Sequence, residues 1–287
     1  MKDYLVILTG LPRGGEKSWK SLEKNVIQHL NADLAICTEN NIDKSLYIYR
    51  IANYRWLFPE RENWTDYYLE NYSHNAIEVL KKGKGAGLWE SGVIHLALKD
   101  YILKNHLEII NNYIYIIYAR FDQFYTHKHP FFSGKNIWIP KGEDYFGIND
   151  RHAIVNVAYI KEYLSICKYI DTLNPESLKN TYLNCETIYK MHLDSSLLSK
   201  KIIRINRFQF TSSSKNDFTR WRVPKYSFIF NKNLQIKYPD EFIDSVKRVN
   251  LIDFLREFDL TYLDMILTYY FLSLRRKLGS IKSFLRR

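Results

Sequence analysis

The chain has 287 residues, of which 46% are hydrophobic, enough for one large core or a core with an appendage, and this excludes a globally disordered polypeptide. Its net charge of +11 requires an anionic partner, whether nucleotide phosphate, anionic lipid or nucleic acid. The three cysteines, Cys37, Cys167 and Cys185, lack CxxC spacing, which argues against a disulfide framework or a structural zinc site and for a reducing compartment.

Tyr4 to Thr9 is an apolar, β-branched run and reads as a buried first strand. Gly10-Leu11-Pro12-Arg13-Gly14-Gly15 is a loop, because proline and three glycines do not fit inside a regular element. Lys17 to Leu30 follows as a helix, with Trp19, Leu22, Val26 and Leu30 at helical spacing, and Asp33 to Thr38 is a second strand. Strand, loop, helix and strand make one βαβ unit, the start of a Rossmann-like sheet.

Leu46 to Trp56 suits helix or strand, and Trp64 to Tyr72 reads as helix. Lys81 to Gly87 is a basic, glycine-rich loop. Glu90 to Leu103 is a helix that turns Val93, Leu96, Leu98 and Tyr101 inward. Tyr113 to Tyr118 reads as a central strand, with Asn136 to Ile139 and Ala153 to Val157 as further strands. Ile160 to Ile170 is helical, Asn174-Pro175 opens another helix, and Lys201 to Phe208 is a strand. The polar run Ser212 to Asp217 marks a boundary. Residues 1–215 are expected to form an α/β domain, a mixed sheet flanked by helices, and 216–287 a mainly helical extension around Phe242–Phe258 and Leu260–Leu278.

Two charged clusters abut apolar strands, where ligands of open α/β sheets bind. The first is Arg120-Phe121-Asp122. Asp122 there is suited to a divalent cation on a diphosphate or to a ribose hydroxyl, and Arg120 to a phosphate. The second runs from Glu143 and Asp144 to Asn149-Asp150-Arg151-His152. Four polar residues in a row before an apolar strand are costly to bury without a task. Asp150 or Asp144 would serve as general base on an acceptor hydroxyl, with His152 as base or phosphate ligand. Glu143, Asn149 and Arg151 would contact substrate.

The glycine loop offers backbone N–H groups at Gly10 and Gly14 to a phosphate, with Pro12, Arg13 and Lys17 beside them. A plain strand-to-helix turn accounts for the same residues. His127 and His129 lie two apart near Asp122, yet Pro130 and the missing third ligand argue against zinc. Trp89 and Glu90 suit a sugar-stacking or core role, and Arg220 in Thr219-Arg220-Trp221-Arg222 a phosphate clamp or an anchor.

Leu8 to Gly15, then Ser21, Leu22 and Asn25, are similar to the start of bacterial and large-virus glycosyltransferase-like proteins of GT-A type. So are Arg120-Phe121-Asp122 with Pro130, and Trp138-Ile139-Pro140 leading through Gly142-Glu143-Asp144 to Asn149-Asp150-Arg151-His152. The likeness runs over roughly residues 4–222. It implies a Rossmann-like GT-A domain that holds a nucleotide-diphosphate sugar on the first strand and loop. It also implies surface polysaccharide, lipopolysaccharide or viral glycan synthesis on a saccharide or lipid-linked acceptor. In that fold an Asp-x-Asp motif binds Mg²⁺ or Mn²⁺ and the donor. Here its counterpart is Arg120-x-Asp122, with one carboxylate, so Asp122 is the lone metal candidate.

Other readings stay open. Pro12-Arg13-Gly14 and Trp19 loosely resemble a sulfotransferase loop for a phosphoadenosine donor, without its Ser/Thr run. A non-catalytic basic protein binding nucleic acid or membrane is the third reading, although no nucleic-acid recognition motif is present. Arg275, Arg276, Lys277, Lys282, Arg286 and Arg287 give the C-terminus a basic tail suited to anionic lipid. The opening apolar run is too short for a signal peptide, and no stretch is long enough to span a bilayer. The expectation is a cytoplasmic protein, peripheral at the inner face of the membrane.

Overall fold

In a computed structural model the residues described are 2–82, 92–178, 181–215, 217, 226–247 and 260–284. The strands are β1 (Tyr4–Thr9), β2 (Asp33–Glu39), β3 (Tyr54–Phe58), β4 (Tyr115–Arg120), β5 (Gln123–Tyr125), β6 (Ile137–Pro140), β7 (His152–Asn156), β8 (Ile202–Ile205), β9 (Gln209–Ser214), β10 (Tyr226–Ser227) and β11 (Leu234–Ile236). The helices are α1 (Gly15–Leu22), α2 (Tyr47–Ile51), α3 (Thr65–Asn71), α4 (His74–Lys82), α5 (Val93–Ile110), α6 (Ile160–Leu164), α7 (Ile166–Thr172), α8 (Cys185–Ser195), α9 (Pro239–Val246) and α10 (Leu260–Phe284). The chain divides into two compact units, one of Met1–Leu11, Leu30–Arg120 and Phe131–Ile205, the other of Pro12–His29, Phe121–Pro130 and Asn206–Arg287. The expected boundary after residue 215 falls inside the second unit.

The first unit is an α/β layer around a seven-stranded mixed sheet in the order β3-β2-β1-β4-β7-β6-β8. β1 is buried along its whole length, and β2 is buried on both faces through its middle, as strands covered by helices must be. β1 runs parallel to β2 and β4, so the strand order reverses between β1 and β4. An open α/β sheet has its crevice at such a reversal, beyond the carboxyl ends of the strands. β7 runs antiparallel to β4, which sets His152 opposite Ala119. The segment feeding β7 therefore arrives at the same edge as the carboxyl ends of β1 and β4.

In α5, buried Asp100 accepts from the hydroxyls of Tyr67 (2.7 Å) and Tyr72 and pairs with Lys104 at 2.8 Å. Leu46–Trp56, open between helix and strand in the sequence, is both: α2, then β3 after the extended Ala52. The expected helix Ile160–Ile170 breaks at Ser165 into α6 and α7. The expected helix at Asn174 is a single 3₁₀ turn, Pro175–Leu178, and α8 starts at Cys185 with Asn184 as its cap.

The second unit has a four-stranded sheet in the order β10-β11-β9-β5, with α9 and α10 packed through Phe124, Phe210, Phe228, Phe242, Met265 and Leu272. α1 ends at Leu22 and the chain continues as a π-helical turn, Glu23–Gln28. Ser21 Oγ accepts from Tyr125 N at 2.9 Å, and Asn25 Nδ2 donates to Tyr125 O at 2.9 Å, so both residues clasp β5. Ser212 to Ser214, read from the sequence as a polar break, instead belong to β9. Ser212 N and Oγ both donate to Asp122 O, which lets serines lie fully buried. Beyond residue 215 the described residues are mainly helical, in α9 and α10, with the short strands β10 and β11 between residues 226 and 236.

Candidate active site

The edge of the first unit's sheet gathers charge where the strand order reverses. Gly10 follows β1 there; its N–H donates to Cys37 O at 3.1 Å, and a Cβ on it would lie 3.6 Å from His95 Cε1. Arg120 ends β4, half-buried. Asp150 lies just before β7, and burial, the largest influence on its carboxyl, pushes it upward. The charges of Lys99, Arg151, His95 and Arg120 outweigh that and hold the carboxyl below its ordinary range. A carboxylate so surrounded stays ionised.

Lys99 was not anticipated. It is only 1% exposed, and its Nζ lies 4.6 Å from the Tyr118 ring centroid and 4.4 Å from that of Tyr189. Two aromatic faces partly replace the water that the ammonium has lost. Burial lowers its proton affinity, and the negative charge of Asp150 restores part of it. Glu186, in the first turn of α8, was also missed. Burial and the neighbouring charge of Asp150 push its carboxyl up to about 7, while Arg151, 3.5 Å away, pulls it down. The two carboxyls of one cluster are thus shifted in opposite directions.

The signals for these residues differ. Lys99 stands three places after Leu96 and three before Ile102 on the inward face of α5, so helical periodicity marks it as a charge on an apolar stripe. Glu186 looks like any acid in a helix's first turn.

Asp144 and Asn149 carry hydrogen bonds that order the loop before β7. Arg204 Nη2 donates to Asp144 Oδ1 and Oδ2 at 2.8 and 2.9 Å, and Asn149 N donates to Asp144 Oδ1 at 3.0 Å. Asn149 Nδ2 donates to Gly142 O at 3.2 Å, and its Oδ1 accepts from Arg151 N at 2.9 Å. Glu143 is half-buried in left-handed backbone, φ 52°. His152 is buried at the start of β7.

In the second unit, Gly14 and Asp122 come together. A Cβ on Gly14 would meet Asp122 Cα and Phe121 O at 3.1 Å, so only glycine suits this approach. The Gly14 N–H expected to face phosphate donates to Asp217 Oδ2 at 2.7 Å, and Ser214 N donates to the same oxygen at 2.8 Å. Pro12 and Arg13 precede this turn half-buried, Arg13 O accepting from Trp19 Nε1 at 3.2 Å. Exposed Lys17 borders a pocket of about 340 Å³ with Gly15, Lys20, Ser214 and Asn233.

Asp122 is buried, and among the described residues no group of three His, Cys, Asp or Glu side chains is placed to hold a metal ion. Asp122 would offer Mg²⁺ or Mn²⁺ one carboxylate, with substrate phosphates and water completing the shell. His129 is a buried ring 4.6 Å from Phe208, with Nδ1 2.8 Å from Pro130 O. Trp89, Glu90 and Arg220 lie outside the described residues.

No family model matches the chain, and no curated protein matches it. Solved structures that align with this chain include mouse xyloside xylosyltransferase 1 in its apo form, at 13% identity and TM-score 0.37, over 71% of this chain and 85% of that one. A glycosyltransferase involved in glycosylation of the major capsid of PBCV-1 aligns at 10% identity and TM-score 0.35, over 70% and 81%. The PaToxG glycosyltransferase aligns at 14% identity and TM-score 0.36, over 69% of each chain.

Proposed function

We propose that this chain is a glycosyltransferase that moves a sugar from a nucleotide-diphosphate donor to a saccharide or lipid-linked glycan acceptor. The observation that carries this reading is Asp150, an ionised carboxylate among Lys99, Arg151, His95 and Arg120 at the point where the strand order reverses. Asp150 takes the proton of the acceptor hydroxyl while that oxygen attacks the anomeric carbon. The bond from the anomeric carbon to the donor's phosphate oxygen breaks, and its electron pair leaves with the diphosphate. Arg120 offsets the charge that develops there. Asp144, engaged by Arg204 and the backbone of Asn149, holds the loop and leaves the proton transfer to Asp150.

Donor binding and proton transfer are tested apart. UDP, GDP or a related sugar nucleotide raises the melting temperature of the wild type, following RT ln(1 + [L]/Kd). Asp150→Asn keeps that shift and loses transfer by about 10²–10⁴-fold. A full sugar-nucleotide panel without any shift overturns the donor reading. Wild-type turnover in Asp150→Asn removes this residue from the base role.

An acceptor at an anionic membrane surface fits α10. Leu267, Tyr270, Phe271 and Leu274 recur at helical spacing and are all exposed, with exposed Arg275 and Arg276 directly after them. Among the described residues no helix is long and apolar enough to cross a membrane. Contact is therefore read as lateral, through this face and the basic end of the chain.

A further inference from the structure

The loop between β6 and β7 holds a conformation that the charged cluster does not require. Gly142, Glu143, Tyr145 and Phe146 all have positive φ, at 86°, 52°, 42° and 69°. Left-handed backbone strains any residue with a Cβ, and bulky aromatics adopt it rarely. Such residues persist where their surroundings over-determine them, and they gather at ligand sites. Here Asp144 is held by Arg204 at 2.8 and 2.9 Å, and Asp144 O accepts from Gly147 N at 2.7 Å. Asn184 Nδ2 donates to Tyr145 O at 3.0 Å.

What this restraint achieves is display. Phe146 is 88% exposed and Tyr145 40%, and Phe146 stands edge-on to Tyr182, itself 45% exposed, with ring centroids 5.8 Å apart. The Arg151 guanidinium lies 5.5 Å from the Tyr145 ring centroid and 3.5 Å from Glu186. Bare rings therefore adjoin a charged pair that belongs to the Asp150 cluster.

We propose that Tyr145, Phe146 and Tyr182 form a stacking platform for a pyranose ring of the acceptor saccharide, with Arg151 and Glu186 facing its hydroxyls. A pyranose has an apolar C–H face and a polar rim, and this surface offers both in adjacent places. An apolar protein partner would seek a wider patch without charged groups at its centre. The assignment rests on the sugar-transfer reading, and it adds the side of the cluster on which the acceptor lies.

Saturation-transfer NMR on the full chain tests it with methyl β-glucoside, β-galactoside, α-mannoside, β-xyloside and β-N-acetylglucosaminide, and with uridine as the base-stacking control. At least one glycoside receives saturation on the protons of one ring face. Phe146→Ala and Tyr182→Ala reduce that signal about ten-fold, Phe146→Trp keeps it, and the thermal shift with sugar nucleotides stays at the wild-type value in all three. Wild-type protein that shows the sugar-nucleotide shift but saturates no glycoside overturns the platform. So does a glycoside signal unchanged in both alanine variants, or uridine alone reporting on these rings. A glycoside signal lost in the alanine variants, in a protein that no sugar nucleotide stabilises, keeps the platform and overturns sugar transfer.

Discussion

Asp150 and Glu186 share one charged cluster and yet shift in opposite directions: burial is the largest influence on both, but Lys99, Arg151, His95 and Arg120 outweigh it at Asp150, whereas the charge of Asp150 adds to it at Glu186. The Glu186 carboxyl keeps its proton to about 7 in the folded chain, against a model-compound value of 4.5. Between those values the folded state binds the extra proton, so stability attributable to Glu186 falls as pH rises from 4.5 to 7 and is level above that, a total on the order of 3 kcal/mol. Buried histidines act in the opposite sense: His129, pushed down to about 3 mainly by burial, favours the folded state as pH rises. The informative quantity is therefore the Tm of Glu186→Gln minus that of the wild type, which increases between pH 5 and 7.5. A difference that stays constant over this range shows that Glu186 is not the titrating group. Asp150 and Arg151 were legible because four polar residues in a row precede an apolar strand. The state of each carboxyl was not, since it depends on charges brought in by α5 and α8.

At the scale of elements, the join between the β6–β7 loop and α8 decides how those charges meet. A Cβ on Gly147 would lie 2.0 Å from the Glu186 carbonyl carbon and oxygen and 2.3 Å from Thr187 N, all of them backbone atoms. Ile148 N donates to Glu186 O at 3.0 Å beside it. Gly147→Ala must push the loop off the helix, at a cost of about 2–3 kcal/mol, with Asp150 and Arg151 displaced relative to Glu186. Denaturant unfolding measures the loss, and a variant as stable as the wild type would show that the loop yields without cost. Asn184 caps α8 reciprocally, donating from its N to Thr187 Oγ1 at 2.8 Å and accepting from Thr187 N at 2.7 Å. The strands around the site were readable from their apolar, β-branched runs. The loop's left-handed residues were not, because Glu143, Tyr145 and Phe146 carry none of the glycine or asparagine signal of such turns.

Across the whole molecule, net charge and the C-terminal helix lead to one expectation. With +11 overall and arginines directly following the exposed face of α10, the chain should bind vesicles containing phosphatidylglycerol and ignore pure phosphatidylcholine. Leu267→Glu with Phe271→Glu should reduce co-sedimentation at least ten-fold and leave the sugar-nucleotide thermal shift intact. Equal sedimentation of the double variant and the wild type would refute a lipid role for this face.

The sequence by itself determined the α/β class, the central place of the Tyr113–Tyr118 run and the two polar clusters, because burial on both faces demands continuous apolar strands and periodicity records it locally. Only the tertiary structure decided that Ser212 to Ser214 belong to a strand, with Ser212 and Ser213 buried and the polar groups of Ser212 satisfied by a partner distant in the chain, Asp122 O. It also decided that Asp217 takes the Gly14 N–H, that Asp144 is tied to Arg204, and that Lys99 lies buried between two tyrosines facing the charge of Asp150. Each of these joins residues tens of positions apart or more. Hydrogen bonding and electrostatics act through space, so no local pattern in the chain carries them.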